Sequence, residues 1–100
     1  MLDFEHGLKK RRSTMLSFPN RSRFFDLTRR AVRFWGHDSA MEWSFFVTED
    51  ALRRLQPGVG RDEVGLLDAF DCNRTVIYAA ATKAYTRGHK GSYELVVTDF

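Results

Sequence analysis

The sequence predicts an α+β domain: a small, mostly antiparallel sheet of about four strands, with one long helix packed on one face. Three observations carry that expectation. Residues 31–47, AVRFWGHDSAMEWSFFV, alternate apolar and polar side chains on either side of a turn-forming centre, the pattern of a half-buried hairpin. Leu66, Leu67, Phe70, Ile77, Ala80, Ala81 and Ala84 recur at spacings near three and four, which lines them along one helix face. Tyr93-Glu94-Leu95-Val96-Val97 then returns to a period of two. The order of elements reads β-β-β-α-α-β.

Lys9-Lys10-Arg11-Arg12 is a run of like charge that repels itself, so residues 1–14 are expected to be a disordered basic tail. A single domain over 15–100 follows. Leu16-Ser17-Phe18 reads as a short strand ended by Pro19-Asn20. NRSRFFDLTRR is an arginine-rich connector, with Asp26 and Thr28 as turn formers.

In the hairpin, a turn centred on Asp38-Ser39 sets Phe34 opposite Trp43, Val32 opposite Phe45 and Gly36 opposite Met41. Those six residues share one face. Arg33 opposite Ser44, Trp35 opposite Glu42 and Ala31 opposite Phe46 form the other. Thr48 caps a short helix whose first turn holds Glu49 and Asp50, suited to the helix dipole. Ala51, Leu52 and Leu55 are its apolar side, and Pro57-Gly58-Val59-Gly60 stops it.

The long helix is expected from about Asp62, a fair N-cap, to Thr86, with Asn73 and Arg74 interrupting its apolar stripe at a bend or short break. Arg87 and Gly88 end it. In the last strand, Tyr93, Leu95 and Val97 face inward. Its place in the sheet stays open: it pairs with either hairpin edge or with the first strand.

One hundred residues suffice for one domain that buries about 60–68% of its unfolded surface. Nine Phe, two Trp and three Tyr are a heavy aromatic load, and large rings let a thin core reach useful stability. No run of about 18 apolar residues is present, so no membrane span is expected. The first residues lack the apolar core of a secretory signal, and the single Cys72 cannot form an internal disulfide. Both point to a cytoplasmic protein. Residues 1–33 carry nine Lys or Arg against three Asp or Glu, so the basic charge is concentrated early in the chain.

LSFPNRSR, VRFWGHD with SFFVTEDAL, F-D-C-N-R-x-x-I-x-x-A-A and the closing SYELVVTDF together resemble one family. It is domain of unknown function family 1488, the YrdB-like group of small bacterial proteins, and the likeness covers Met15 to Phe100. The resemblance implies an α+β domain in a bacterial cytosol. It implies no reaction, cofactor or catalytic residue.

Candidate chemistry is sparse. His37 and Asp38 are adjacent turn residues, whereas a metal site needs three or four converging ligands. Gly58-Val59-Gly60 follows a helix and lacks the Lys-Ser/Thr of a phosphate-binding loop. Cys72 has no histidine at a recognisable spacing, and no serine sits in G-x-S-x-G. The expectation is therefore a non-enzymatic protein with no cofactor or metal.

Two binding readings remain. Trp35, Phe46 and Val96 on the outer sheet face form an apolar contact surface for a homodimer or another protein partner. Alternatively, Arg21, Arg23, Arg29, Arg30 and Arg33 neutralise phosphates while the outer rings stack on bases of a single-stranded nucleic acid. Against the second stand the missing RNP1 pattern and the acidic Glu42 beside Trp35. The protein reading leads.

Overall fold

A computed structural model describes residues 16–88 and 91–100 and has one four-stranded sheet in the order β1-β2-β3-β4. The strands are β1 Phe24–Asp26, β2 Ala31–Asp38, β3 Met41–Thr48 and β4 Ser92–Leu95. Between β3 and β4 run α1 Glu49–Leu55, α2 Glu63–Cys72 and α3 Arg74–Arg87, and a 3-10 turn, Val97–Asp99, follows β4. The α+β class holds. The expected basic tail, residues 1–14, lies outside the described residues.

The hairpin forms, with a shifted register. Its loop is Ser39-Ala40 rather than Asp38-Ser39, so Phe34 faces Phe45, Val32 faces Val47 and Gly36 faces Trp43. Every partner moves by two residues. Because side chains alternate with period two, a shift of two leaves each residue on its expected face. Ser39 takes a positive φ of 60° at the first loop position, where a tight hairpin needs a left-handed residue. The observed register is supported at the tip. His37 faces Glu42 with Nε2 2.9 Å from Oε2, and the Tyr85 hydroxyl donates to Asp38 at 2.5 Å.

Leu16-Ser17-Phe18 makes a single bridge instead of a strand. Ser17 and His37 exchange backbone hydrogen bonds of 2.8 and 2.9 Å. Phe18 then stacks on Tyr78 with centroids 4.0 Å apart. Gly36 permits that approach, since a Cβ there would sit 3.0 Å from ring carbons of Phe18 and Phe45. The first true strand, β1, lies inside the predicted connector, antiparallel to β2. Asp26 closes the turn after it, accepting from the Arg29 backbone N–H at 3.0 Å.

Local capping signals read true. Thr48 Oγ1 accepts from Ala51 N at 3.2 Å, and the Asp62 side chain accepts from Gly65 N. The long helix is two helices. Asn73 ends α2 and begins α3, and its Nδ2 donates to Ala69 O at 2.8 Å, holding the break closed. β4 runs parallel to β3, with Ser44 opposite Ser92 and Phe45 opposite Tyr93, so the sheet is mixed. Three helices fill the crossover that a parallel neighbour requires. Tyr93 and Leu95 point inward as expected, whereas Val97 belongs to the 3-10 turn.

The core lies between the inner sheet face and the helices. Phe34, Phe45, Phe70, Leu52, Leu66, Ile77 and Leu95 are its largest fully buried side chains. Phe34 meets Phe45 and Phe70 at centroid distances of 5.4 and 5.1 Å, a spacing at which ring pairs add to area burial. All three helices contribute to this cluster, and among the described residues no helix packs on the other side of the sheet. Among the described residues no helix is long and apolar enough to cross a membrane.

Candidate interaction face

The bare sheet face is built from alternate residues of four strands. Pairing places Phe24 and Asp26 of β1 beside Arg33, Trp35 and His37 of β2, then Glu42, Ser44 and Phe46 of β3, then Ser92 and Glu94 of β4. Phe46 is nevertheless buried, at 5% exposure. Arginines cover it. The Arg29 guanidinium carbon lies 4.1 Å from the Phe46 ring centroid, and that of Arg33 lies 5.5 Å away. Arg33 also sits 5.2 Å over Trp35, which is half-buried. Each contact joins a cation to the negative face of a ring, and the long arginine stem shields the ring from water.

Trp35 and Phe46 are thus brought together on one face, as the alternation predicts, and Arg29 and Arg33 join them there. Val96, 38% exposed, follows Glu94 just beyond β4. The sequence reading missed Phe24, which is 58% exposed and directly opposite Arg33. Phe24-Phe25-Asp26 is too short a run to show a period inside the arginine-rich connector, so no sequence signal marks it. Asp26, Arg29, Arg33, Ser44, Phe46, Gly91 and Ser92 line a shallow depression of about 620 Å³ on this face.

Of the other candidate arginines, Arg23 and Arg30 have side-chain partners elsewhere. Arg23 holds Asp71 of α2 through three hydrogen bonds of 2.9–3.2 Å, and Arg74 approaches the same carboxylate at 2.8 Å. These two guanidiniums, Arg23 first, hold the Asp71 carboxyl below its usual range. Arg21 offers its carbonyl to Arg74 at 2.9 Å and lines a second shallow depression with Ser22, Arg23, Asp71 and Arg74. Arg30 Nε donates to Glu49 at 2.8 Å, and its NH2 group donates to the Arg61 carbonyl. Arg23 and Arg30 therefore tie elements together.

His37, Asp38 and Glu42 are engaged at the hairpin tip. Glu42 accepts from Asn20 at 3.1 Å and lies 2.9 Å from His37, and these two neighbours hold its carboxyl below the ordinary range. Asp38 accepts from Tyr85. Burial, and then that hydrogen bond, push the Tyr85 phenol up to about 12. Cys72 is exposed at the end of α2. Among the described residues no group of three His, Cys, Asp or Glu is placed to hold a metal ion.

A family model described as "Protein of unknown function (DUF1488)" matches residues 16–97. A solved structure, a protein of unknown function from the DUF1488 family of Shewanella loihica PV-4, is similar in fold, with a TM-score of 0.73 and 16% sequence identity. The match covers 82% of this chain and 92% of that one. No curated protein matches.

Proposed function

The chain belongs to the DUF1488 family, and from that premise we propose that it is a non-enzymatic protein of the bacterial cytoplasm that works by binding another protein through the bare sheet face. The partner is a second copy of this chain or a different protein. One observation carries the reading: the face that the described helices leave uncovered holds Phe24 at 58% exposure opposite Arg33, which lies over Trp35 and, with Arg29, over Phe46. Aromatic rings and arginines are the side chains enriched at protein contact surfaces.

Charge balance weighs against the nucleic-acid alternative. Acidic and basic side chains are equal in number among the described residues, and the surplus of +3 lies outside them. Arg23 and Arg30 already neutralise carboxylates of their own. Affinity capture from the native host, wild type against a Phe24→Ser, Trp35→Ser double variant at rising salt, tests the proposal. A protein captured by the wild type alone, and retained at high salt, supports it. Capture that collapses steeply with salt and releases nucleic acid contradicts it. Size-exclusion chromatography with light scattering separates the two protein partners, since a strict monomer at low and high salt removes self-association.

A further inference from the structure

Arg33 stands apart from the other cations. Among the described residues, Arg23, Arg29, Arg30, Arg53, Arg61, Arg74 and Arg87 each have a carboxylate within 4.0 Å. Arg21, Arg54 and Lys83 have none but are exposed to water. Arg33 is half-buried in the middle of the sheet and, among the described residues, has no carboxylate within 4.0 Å. Its NH2 group donates to Ser44 Oγ at 2.8 Å, while its Nε is buried and donates to nothing. A partly desolvated guanidinium without a counter-ion is costly, and a buried donor left unmade adds to that cost.

A second arginine lies beside it. Arg29, paired only at 3.9 Å with Asp26 and half exposed, shares the Phe46 ring with Arg33 and lines the same depression. Of the acids on this face, Glu42 and Asp26 have partners already and Glu94 makes no ion pair with either arginine. Glu42 feels the Arg33 charge but is held by His37 and Asn20, Asp26 receives the Arg29 backbone N–H, and Glu94 is opposite Phe46 on β4.

We propose that Arg33 and Arg29, stacked on Phe46 and Trp35, form a socket for a single carboxylate of a protein partner, an Asp or Glu flanked by apolar residues. This rests on the protein-binding reading above and names the chemistry of its partner. Asp26, Glu42 and Glu94 on the same face repel a run of phosphates, whereas one carboxylate meets the guanidiniums without crossing them. Phe24 and Trp35 then receive the apolar neighbours. Charge-assisted hydrogen bonds to guanidinium groups carry both the affinity and the orientation.

The test selects binders to the full chain from a random peptide library. The expected peptides share one acidic residue between apolar ones. Replacing that acid by its amide, or Arg33→Gln in the protein, weakens binding about tenfold or more. Peptides that depend on Trp35 but not on Arg33 or an acid overturn the socket and leave the contact face standing. Recovery of no Trp35-dependent peptide overturns both.

A second measurement keeps the fold intact. In the wild-type chain, arginine Nε–H resonances are followed as acetate replaces chloride at constant ionic strength, and separately as oligothymidylate is added. The Arg33 and Arg29 signals are expected to move with acetate while Arg21 and Arg54 stay still. Uniform shifts of all arginines, or a larger response to oligothymidylate at equal charge, overturn the proposal.

Discussion

Replacing Glu49 by Gln removes the charged hub between the β1–β2 turn and α1. The Glu49 carboxylate is 7% exposed, receives Arg30 Nε at 2.8 Å and Arg53, and has Arg61 at 3.5 Å. The Arg30 hydrogen bond, followed by that of Arg53, outweighs burial and lowers the carboxyl from 4.5 to about 2. A pKa depressed by folding contributes stability that is complete above the unfolded value and is lost as pH falls through the folded one. Linkage makes that contribution about 3 kcal/mol at neutral pH. Arg30 and Arg61 are partly solvated, and screening trims the figure to about 2–3 kcal/mol. Urea unfolding of wild type and Glu49→Gln at pH 7 should differ by that amount, and the gap should shrink below about 1 kcal/mol as pH falls from 4.5 towards 2. A gap that is constant with pH, or absent at pH 7, refutes the reasoning. Arg30→Ala should likewise reduce stability and leave partner binding unchanged in the folded fraction.

Three further outcomes follow from the packing. Gly36→Ala sets a methyl against Phe18, Phe45 and Leu16 at 3.0–3.1 Å. It should cost about 1–2 kcal/mol and speed hydrogen exchange of the His37 amide, which Ser17 O now accepts. Phe70→Ala empties a fully buried ring site against Phe34 and should cost about 3–5 kcal/mol in denaturant unfolding. Tyr85, whose pKa is raised to about 12, contributes stability that is present below about pH 10 and lost as pH rises through its folded value. The stability gap between wild type and Tyr85→Phe, read by urea unfolding, should therefore narrow above about pH 10.

What the chain declares locally, the structure keeps. Thr48 and Asp62 cap where their hydroxyl and carboxylate oxygens meet the next free N–H groups, and Asn73 breaks the helix where the apolar stripe is interrupted. The two hairpin faces are also as expected, because alternation identifies faces. Alternation cannot distinguish registers two residues apart. The choice depends on Tyr85, 47 residues from Asp38, and on the His37–Glu42 pair. The same non-locality hid the parallel direction of β4, which three intervening helices allow. β1 was missed because three residues are too short a run to show a period.

The site was partly visible. Trp35 and Phe46 were placed on the outer face, and five arginines were singled out. Composition alone could not sort those arginines into ties, such as Arg23 on Asp71 and Arg30 on Glu49, and ring covers, such as Arg29 and Arg33 on Phe46. That sorting depends on carboxylates brought in from α1 and α2.

Site-specific photo-crosslinking in the native host tests the central claim most directly, with a photoreactive residue at Phe24 on the bare face or at Val64, 66% exposed on α2. Discrete protein adducts from position 24, and none of the same adducts from position 64, are predicted. Equal labelling from both positions, or adducts from position 64 alone, would contradict a working face on the uncovered side of the sheet.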